Sequence, residues 1–304
     1  MSTTSPHPAV ARILGKERHR RSYEWLTRDL SGSDLTSLLL GVVAERAHGR
    51  APRDLLRQYG SDRFVAPGQL DAIELARTEL LALETASLDF EPVTLSPVVP
   101  FGLHSVLSTV PQNNVVTTTR LSEVTADPTN ALALEACVRR SGAETVRLAA
   151  VHRVVRAQRF DGPRSFAHFS LLGLVSAGRD RGNDQFETHE LCQHIERLVR
   201  FVDSAVRGNV KVLVTAFSPA FASASDDVVT QLDFKGIDAG LFPDREHGRG
   251  YYQNIGFKLF VTVGGEDYEV GDGGDVGWTQ ELMQSRKERL IISGVGVDRV
   301  AMLR

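Results

Sequence analysis

The sequence predicts an α+β fold: a mainly antiparallel sheet flanked by helices and preceded by an extra helical region. Three observations carry that expectation. Helical patterns occupy the chain up to about Ser87. Beyond it, β-rich runs gather with helices inserted among them, but without the regular strand–helix alternation of a parallel sheet. Pairs of those runs are joined by short polar turns, as antiparallel hairpins are.

Composition sets the outer bounds. The chain has 304 residues, 42% hydrophobic and 24% charged, which is ordinary for a globular protein with a large core. A net charge of −3 gives no case for a nucleic-acid surface over the whole chain. Cys137 and Cys192 have neither metal-site nor disulfide-framework spacing, which points to a reducing cytoplasm and to small core residues. The N-terminus lacks the apolar run of a signal peptide, and no stretch approaches about 18 apolar residues. The expectation is therefore a cytoplasmic protein with no metal centre and no membrane partner.

In chain order, Met1 to Pro8 reads as disordered. A helix is expected from about Ala9 to Leu30, with His19, Arg20 and Arg21 on a solvated face. A second follows the cap-like Ser33, with Leu35, Leu38, Leu39, Val42 and Val43 on one side. Ala51 to Asp54 starts a short third, and residues 1–61 are expected to form a helical extension to a domain over 62–304. After the turn-rich Gly60 to Gly68, a helix is expected from Gln69 to Ser87. Phe90 to Pro97 is extended, its prolines suited to a sheet edge. Val106 to Val110 and Val115 to Arg120 read as strands. Asp127-Pro128-Thr129 reads as a helix start, with the helix running to Arg140.

Val151 to Leu172 reads as a hairpin with its turn at Asp161-Gly162-Pro163. Arg153, Arg156 and Arg159 spaced along it suit an anion, because each guanidinium offers planar paired donors. A helix over Glu187 to Val206 and a strand over Val212 to Phe217 come next. Tyr251 to Val263 and Glu266 to Val270 form a second expected hairpin closed by Gly264-Gly265. On a strand, Tyr251 and Tyr252 would point to opposite faces. The glycine cluster Gly271 to Gly274 precedes a helix at Thr279 to Lys287. Leu290 to Ile292, Gly294 and Gly296 then lead to a last helical turn at Asp298-Arg299.

In this order, the pieces resemble the catalytic domain of a class II aminoacyl-tRNA synthetase, with histidyl-tRNA synthetase the most similar member. Phe90 to Pro97 resembles the family's motif 1 strand, which implies a homodimer. Asp127 and Thr129 stand where the family holds the substrate ammonium group. The hairpin resembles motif 2, with Arg153 in the place of the arginine that contacts the ATP α-phosphate. Tyr251 and Tyr252 resemble the pair lining the amino-acid pocket, and Gly294 to Arg299 resembles motif 3, with Arg299 as the γ-phosphate arginine. The resemblance implies ATP and Mg2+ as cofactors, with Arg153 both catalytic and ATP-binding, and Arg299 ATP-binding. It implies Asp127, Thr129, His168, Tyr251 and Tyr252 as substrate-binding residues.

Departures from the pattern shape the expected function. The motif 2 glutamate position is Val155, its later glutamine position is His168, and the glutamate that reads imidazole falls at Leu172. The family's catalytic arginine before the tyrosine pair falls at His247, with Arg245 or Arg249 as substitutes in a shifted register. No anticodon-binding domain follows Arg304, which argues against tRNA charging. Two functions fit. One is a stand-alone synthetase-like protein that binds ATP with an amino acid or related carboxylate and forms its adenylate. The other is a non-catalytic ligand-sensing subunit resembling that of ATP phosphoribosyltransferase, with a phosphoribosyltransferase as partner; a carrier protein is the partner expected of the enzyme.

Overall fold

A computed structural model describes residues 8–140, 143–158 and 166–304. The expected hairpin turn at Asp161-Gly162-Pro163 and Arg159 lie outside these residues, as does the expected disordered stretch before Pro8. The chain divides into two compact units, one formed by residues up to Ser61 with Thr117–Ser122, the other by Asp62–Val116 with Glu123–Arg304.

The first unit contains four α-helices among its described residues: α1 (Pro8–Leu14), α2 (Glu17–Glu24), α3 (Gly32–His48) and α4 (Pro52–Ser61). The single helix expected from Ala9 to Leu30 is interrupted after Leu14 and closes in a π-turn at Trp25–Asp29. Ser31, rather than Ser33, caps α3 by accepting the Asp34 N–H at 3.2 Å. None of the described residues of this unit is buried.

The second unit opens with α5 (Ala72–Ala86), capped by Asp71, whose carboxylate accepts the N–H groups of Ile73 and Glu74. Then follow β1 (Glu91–Pro92), β2 (Val98–Pro100), α6 (Leu103–Leu107), β3 (Ser122–Val124), α7 (Pro128–Arg140), β4 (Thr145–Val155) and β5 (His168–Arg179). The chain continues through α8 (Gln185–Ala205), β6 (Asn209–Ala216), α9 (Ala222–Phe234), β7 (Ala239–Leu241), β8 (Ile255–Val263), β9 (Glu266–Asp275), α10 (Trp278–Leu282), β10 (Glu288–Gly296) and α11 (Val297–Met302). Among the described residues, eight strands form one sheet in the order β1-β4-β5-β10-β9-β8-β6-β7. All its pairings are antiparallel except those of the two edge strands, β1 with β4 and β7 with β6. This is the expected α+β architecture, and Pro92 lies on the edge strand, where a missing N–H is tolerated.

Three expectations fail locally. Val106 to Val110 and Val115 to Arg120 are not strands: Leu103 and Leu107 bury one helical face of α6, so spacing outweighs β-branched composition. Tyr251 and Tyr252 lie in a turn before β8, not on it. β9 does not end at Val270 as expected but runs on through Gly271 to Gly274 to Asp275. A Cβ on Gly274 would stand 2.5 Å from the Ile255 carbonyl and 2.6 Å from the Tyr252 ring, so only glycine lets the tyrosine lie flat on the sheet.

No described helix is long and apolar enough to cross a membrane. Cys137 and Cys192 are free thiols on α7 and α8, and burial pushes each up to about 11. Neither is primed for thiolate chemistry.

Candidate functional site

The alternation of side chains along β4 and β5 decides which of them share a site. On one face, Leu172, Leu174, Phe257, Ile291 and Val295 join the core beneath α5, α8, α9 and α11. On the other, Leu148, Val175, Ile292, Tyr252 and Trp278 join the core beneath α7. At the end of this second face where β4 finishes and β10 meets α11, polar side chains replace the core.

Asp127 stands there as the cap of α7. Its Oδ1 accepts the Thr129 N–H at 2.9 Å and the Thr129 hydroxyl at 2.7 Å. The sequence folds this way because an Asp before Pro128 satisfies helix N–H groups that the first turn leaves open, and Pro has none to lose. The remaining oxygen, Oδ2, accepts from Arg156 Nη2 at 3.1 Å, and Arg156 Nε donates to the Ala126 carbonyl at 3.0 Å. The Arg156 guanidinium lies over the Phe169 ring, 5.3 Å from its centre. Gly173 lets the first turn of α7 lie close on the sheet: a Cβ there would meet Pro128 Cγ at 2.8 Å.

The tyrosine pair closes the opposite side. The two rings meet edge to face at 5.0 Å, and Tyr252 stacks on Phe217 at 6.0 Å. Burial raises the Tyr251 hydroxyl well above its ordinary value, and the negative charges of Asp127 and Asp272 add to the shift. Tyr252 is raised likewise by burial, then by Asp272 and Tyr251. Both are hydrogen-bond donors at neutral pH. Asp272 on β9 is itself raised by burial, against the pull of Arg245 and of the Tyr252 hydroxyl.

Arg245 is the arginine that enters this face. It is only 2% exposed, and its Nε donates to the His247 carbonyl at 2.6 Å. Its guanidinium lies over Phe217 and Tyr252, with Nη2 3.6 Å from Asp272. Neither Nη1 nor Nη2 has a hydrogen-bond partner, and burial lowers its affinity for its proton. His247 and Arg249 are exposed. Of the three candidates upstream of the tyrosines, the shifted-register residue Arg245 is the one turned inward.

Arg153 and His168 are placed elsewhere. Arg153 Nε and Nη2 donate to His168 Nδ1 at 3.1 and 2.8 Å, and His168 Nε2 donates to the Ala66 carbonyl at 2.7 Å. Nη1 of Arg153 is 3.9 Å from Asp298, whose other oxygen accepts the Ser170 N–H at 2.7 Å. These residues are on the α5/α11 face, with the sheet between them and Asp127. Leu172 is in the core of that same face, so it does not line the Asp127 cleft. Arg299 is exposed and donates to the Glu269 carbonyl at 2.6 Å. The structure thus brings Asp127, Thr129, Tyr251 and Tyr252 together, adds Arg156, Arg245 and Asp272, and leaves Arg153 and His168 behind the sheet. Arg156 was visible in the hairpin; its even spacing from Val154 and His152 is the signal that it shares the α7 face.

A buried pair holds the Asp127 loop in place. The Ala126 N–H donates to His104 Nε2 at 3.0 Å, and His104 Nδ1 donates to Glu123 Oε1 at 2.6 Å. Glu123 also accepts from the Gly102 and His104 N–H groups and from Gln112. Burial pushes the Glu123 carboxyl up, but these hydrogen bonds outweigh it and hold the group below its ordinary value. Among the described residues, no three His, Cys, Asp or Glu side chains converge as a metal site would require.

No protein-family profile and no curated protein matches the chain. Solved structures do. An ATP phosphoribosyltransferase regulatory subunit/histidyl-tRNA synthetase from Bacillus halodurans superposes with a TM-score of 0.63 at 13% identity, covering 79% of this chain and 82% of that one. The S. aureus histidyl-tRNA synthetase gives 0.62 at 13% identity, over 78% and 68%. A histidine–tRNA ligase subunit from Alicyclobacillus acidocaldarius gives 0.59 at 13%, over 78% and 96%. The eight-stranded sheet with its helical covering, superposing on three such proteins over more than three quarters of the chain, is a class II aminoacyl-tRNA synthetase-like fold.

Proposed function

We propose that the chain is a class II synthetase-like protein that binds an amino acid or related carboxylate beside Asp127, together with ATP. One observation carries this reading: two carboxylate–guanidinium pairs, Asp127 with Arg156 and Asp272 with Arg245, stand beside the tyrosine pair on one face of the sheet. Asp127 and Asp272 suit an ammonium group, while Arg156 and the unpartnered Nη atoms of Arg245 suit a carboxylate or phosphate.

ATP fits the residues present in charge. Arg156 and Arg245 stand beside the tyrosine pair, and Arg299 donates to the Glu269 carbonyl, three residues before Asp272 on β9. Mg2+ would arrive on the triphosphate, because no metal-binding cluster of side chains is found among the described residues. When bound, ATP supplies the activated phosphorus for adenylate formation. The chain's part is to orient the carboxylate and to stabilise charge at that phosphorus with Arg156.

A second reading is favoured by one observation: much of the cleft's positive charge is already matched, Arg156 by Asp127 and Arg245 by Asp272. This suits a subunit that senses its ligand without turning it over and acts on a protein partner, a phosphoribosyltransferase in the manner of the Bacillus halodurans protein's description. A carrier protein as partner goes with the enzyme instead. Amino-acid-dependent exchange of labelled pyrophosphate into ATP separates the two. Exchange that is lost in Arg156→Ala supports the enzyme. Ligand binding without exchange supports the sensor, and absence of binding to both ATP and amino acids refutes the site.

A further inference from the structure

A polar cavity of about 220 Å³ lies at the end of the sheet away from Asp127, where β5 runs into α8. Its walls include Asp180, Asp184, Glu187, Asp275, Asn254 and Arg289. Four of these are carboxylates and one is a cation, so the cavity is net negative.

Its donors and acceptors are unequally used. Asp275 accepts from the N–H groups of Asn254 and Ile255 and from the Asn254 amide. Arg289 is spent as well: Nε is 2.8 Å from Glu187 Oε1, and Nη2 donates to Asp180 at 2.7 Å. Glu187 is 3% exposed, yet its Oε2 has no hydrogen-bond partner. Burial raises its carboxyl, against the pull of its own N–H and of Arg289. A buried acceptor left open on a polar cavity offers a place for a donor from outside the chain, water or a ligand. Asn183 and Asp184, at the mouth, are both held at positive φ, 51° and 54°, a conformation that non-glycine residues adopt at a cost.

We propose that this cavity binds a small organic cation bearing N–H donors, an alkylammonium or guanidinium compound, with Glu187 Oε2 as its principal acceptor. A metal ion does not fit, because no three ligating side chains converge among the described residues and Asp275 already accepts three hydrogen bonds. An amino acid does not fit either, since Arg289 has no guanidinium edge free for a carboxylate. The inference is independent of the function proposed for the Asp127 cleft.

The test is calorimetry and thermal melting of the full chain with agmatine and putrescine as probes. Tetramethylammonium, with the same charge and no N–H, is the control. Saturable binding of agmatine or putrescine with a raised melting temperature is expected, and none for tetramethylammonium. Glu187→Gln should weaken binding at least about tenfold, and Asp127→Ala should leave it unchanged. Should Glu187→Gln fail to fold, Asp184→Asn at the mouth serves, with a smaller loss expected. Equal binding of all three cations, binding that survives these substitutions, or no saturable binding at millimolar concentration overturns the proposal.

Discussion

Arg156 and Asp127, 29 residues apart in the chain, meet through a 3.1 Å contact between Nη2 and Oδ2, and Arg153, three residues before Arg156, faces the other side of the same sheet. Arg156→Ala is therefore expected to weaken carboxylate or nucleotide binding in the cleft by about 1.5–3 kcal/mol. Arg153→Ala should leave binding within about twofold while lowering stability by about 1 kcal/mol, through loss of its contacts with His168. Calorimetric titration beside thermal melts of both variants checks the contrast. The opposite ranking would return the anion site to the α5 face.

Gly173→Ala puts a methyl group 2.8 Å from Pro128 Cγ and 3.4 Å from Thr129 Cγ2. The first turn of α7 must shift, which costs about 1–3 kcal/mol in a packed region. Ligand affinity should fall with it, because Asp127 caps that turn. Denaturant melts and titration measure the two effects together.

Glu123 supplies an acid-sensitive element. Its carboxyl is held below the ordinary 4.5 by its hydrogen bonds, so its contribution to stability is present above that pH and is lost as pH falls through the lowered value. Glu123→Gln should flatten the acid side of the stability profile below about pH 4.5 while leaving a lower plateau at neutral pH. Melting temperature against pH for both proteins is the measurement. An unchanged slope refutes the assignment.

His194 acts over a different window. It is buried between Ser293 and Ser176, with ring nitrogens 2.7 and 3.0 Å from the hydroxyls, and burial lowers it to about 3 from 6.5. The folded chain thus binds this proton less readily than the unfolded chain, and stability should decline as pH falls from 6.5 toward 3, by up to about 1.4 kcal/mol per pH unit. His194→Asn should remove that slope. Urea melts at pH 7, 6 and 5 test it.

A homodimer remains the expected assembly. Val98, Phe101 and Val106 stay 39%, 53% and 70% exposed just beyond β1, the segment that resembles motif 1. Phe101→Asp with Val106→Asp should convert a dimer to a monomer in light scattering without lowering helix content. A wild-type monomer at micromolar concentration would refute this expectation.

The sequence alone was enough for the class of fold, because local signals agree with the final arrangement. Asp127 before Pro128 caps a helix wherever that helix packs, prolines mark the edge strand, and polar turns join antiparallel partners. Asp127 and Thr129 were legible for the same reason, as a capping motif with its own local geometry, whereas the tyrosine pair was legible from the resemblance and its expected strand geometry failed. What the tertiary structure decided was the face. Side chains along a strand alternate with a period of two, so an odd-numbered change of register moves a residue through the sheet. Arg153 and Arg156 differ by three, and both are plausible on charge and spacing. Only the packing of α7 over one face and of α5 and α11 over the other determines that Arg156 meets Asp127 while Arg153 meets His168. Arg245 follows the same logic: which of three neighbouring basic residues turns inward is set by the Gly248–Tyr252 turn and the aromatic rings it stacks beneath, contacts that the chain's linear pattern does not encode.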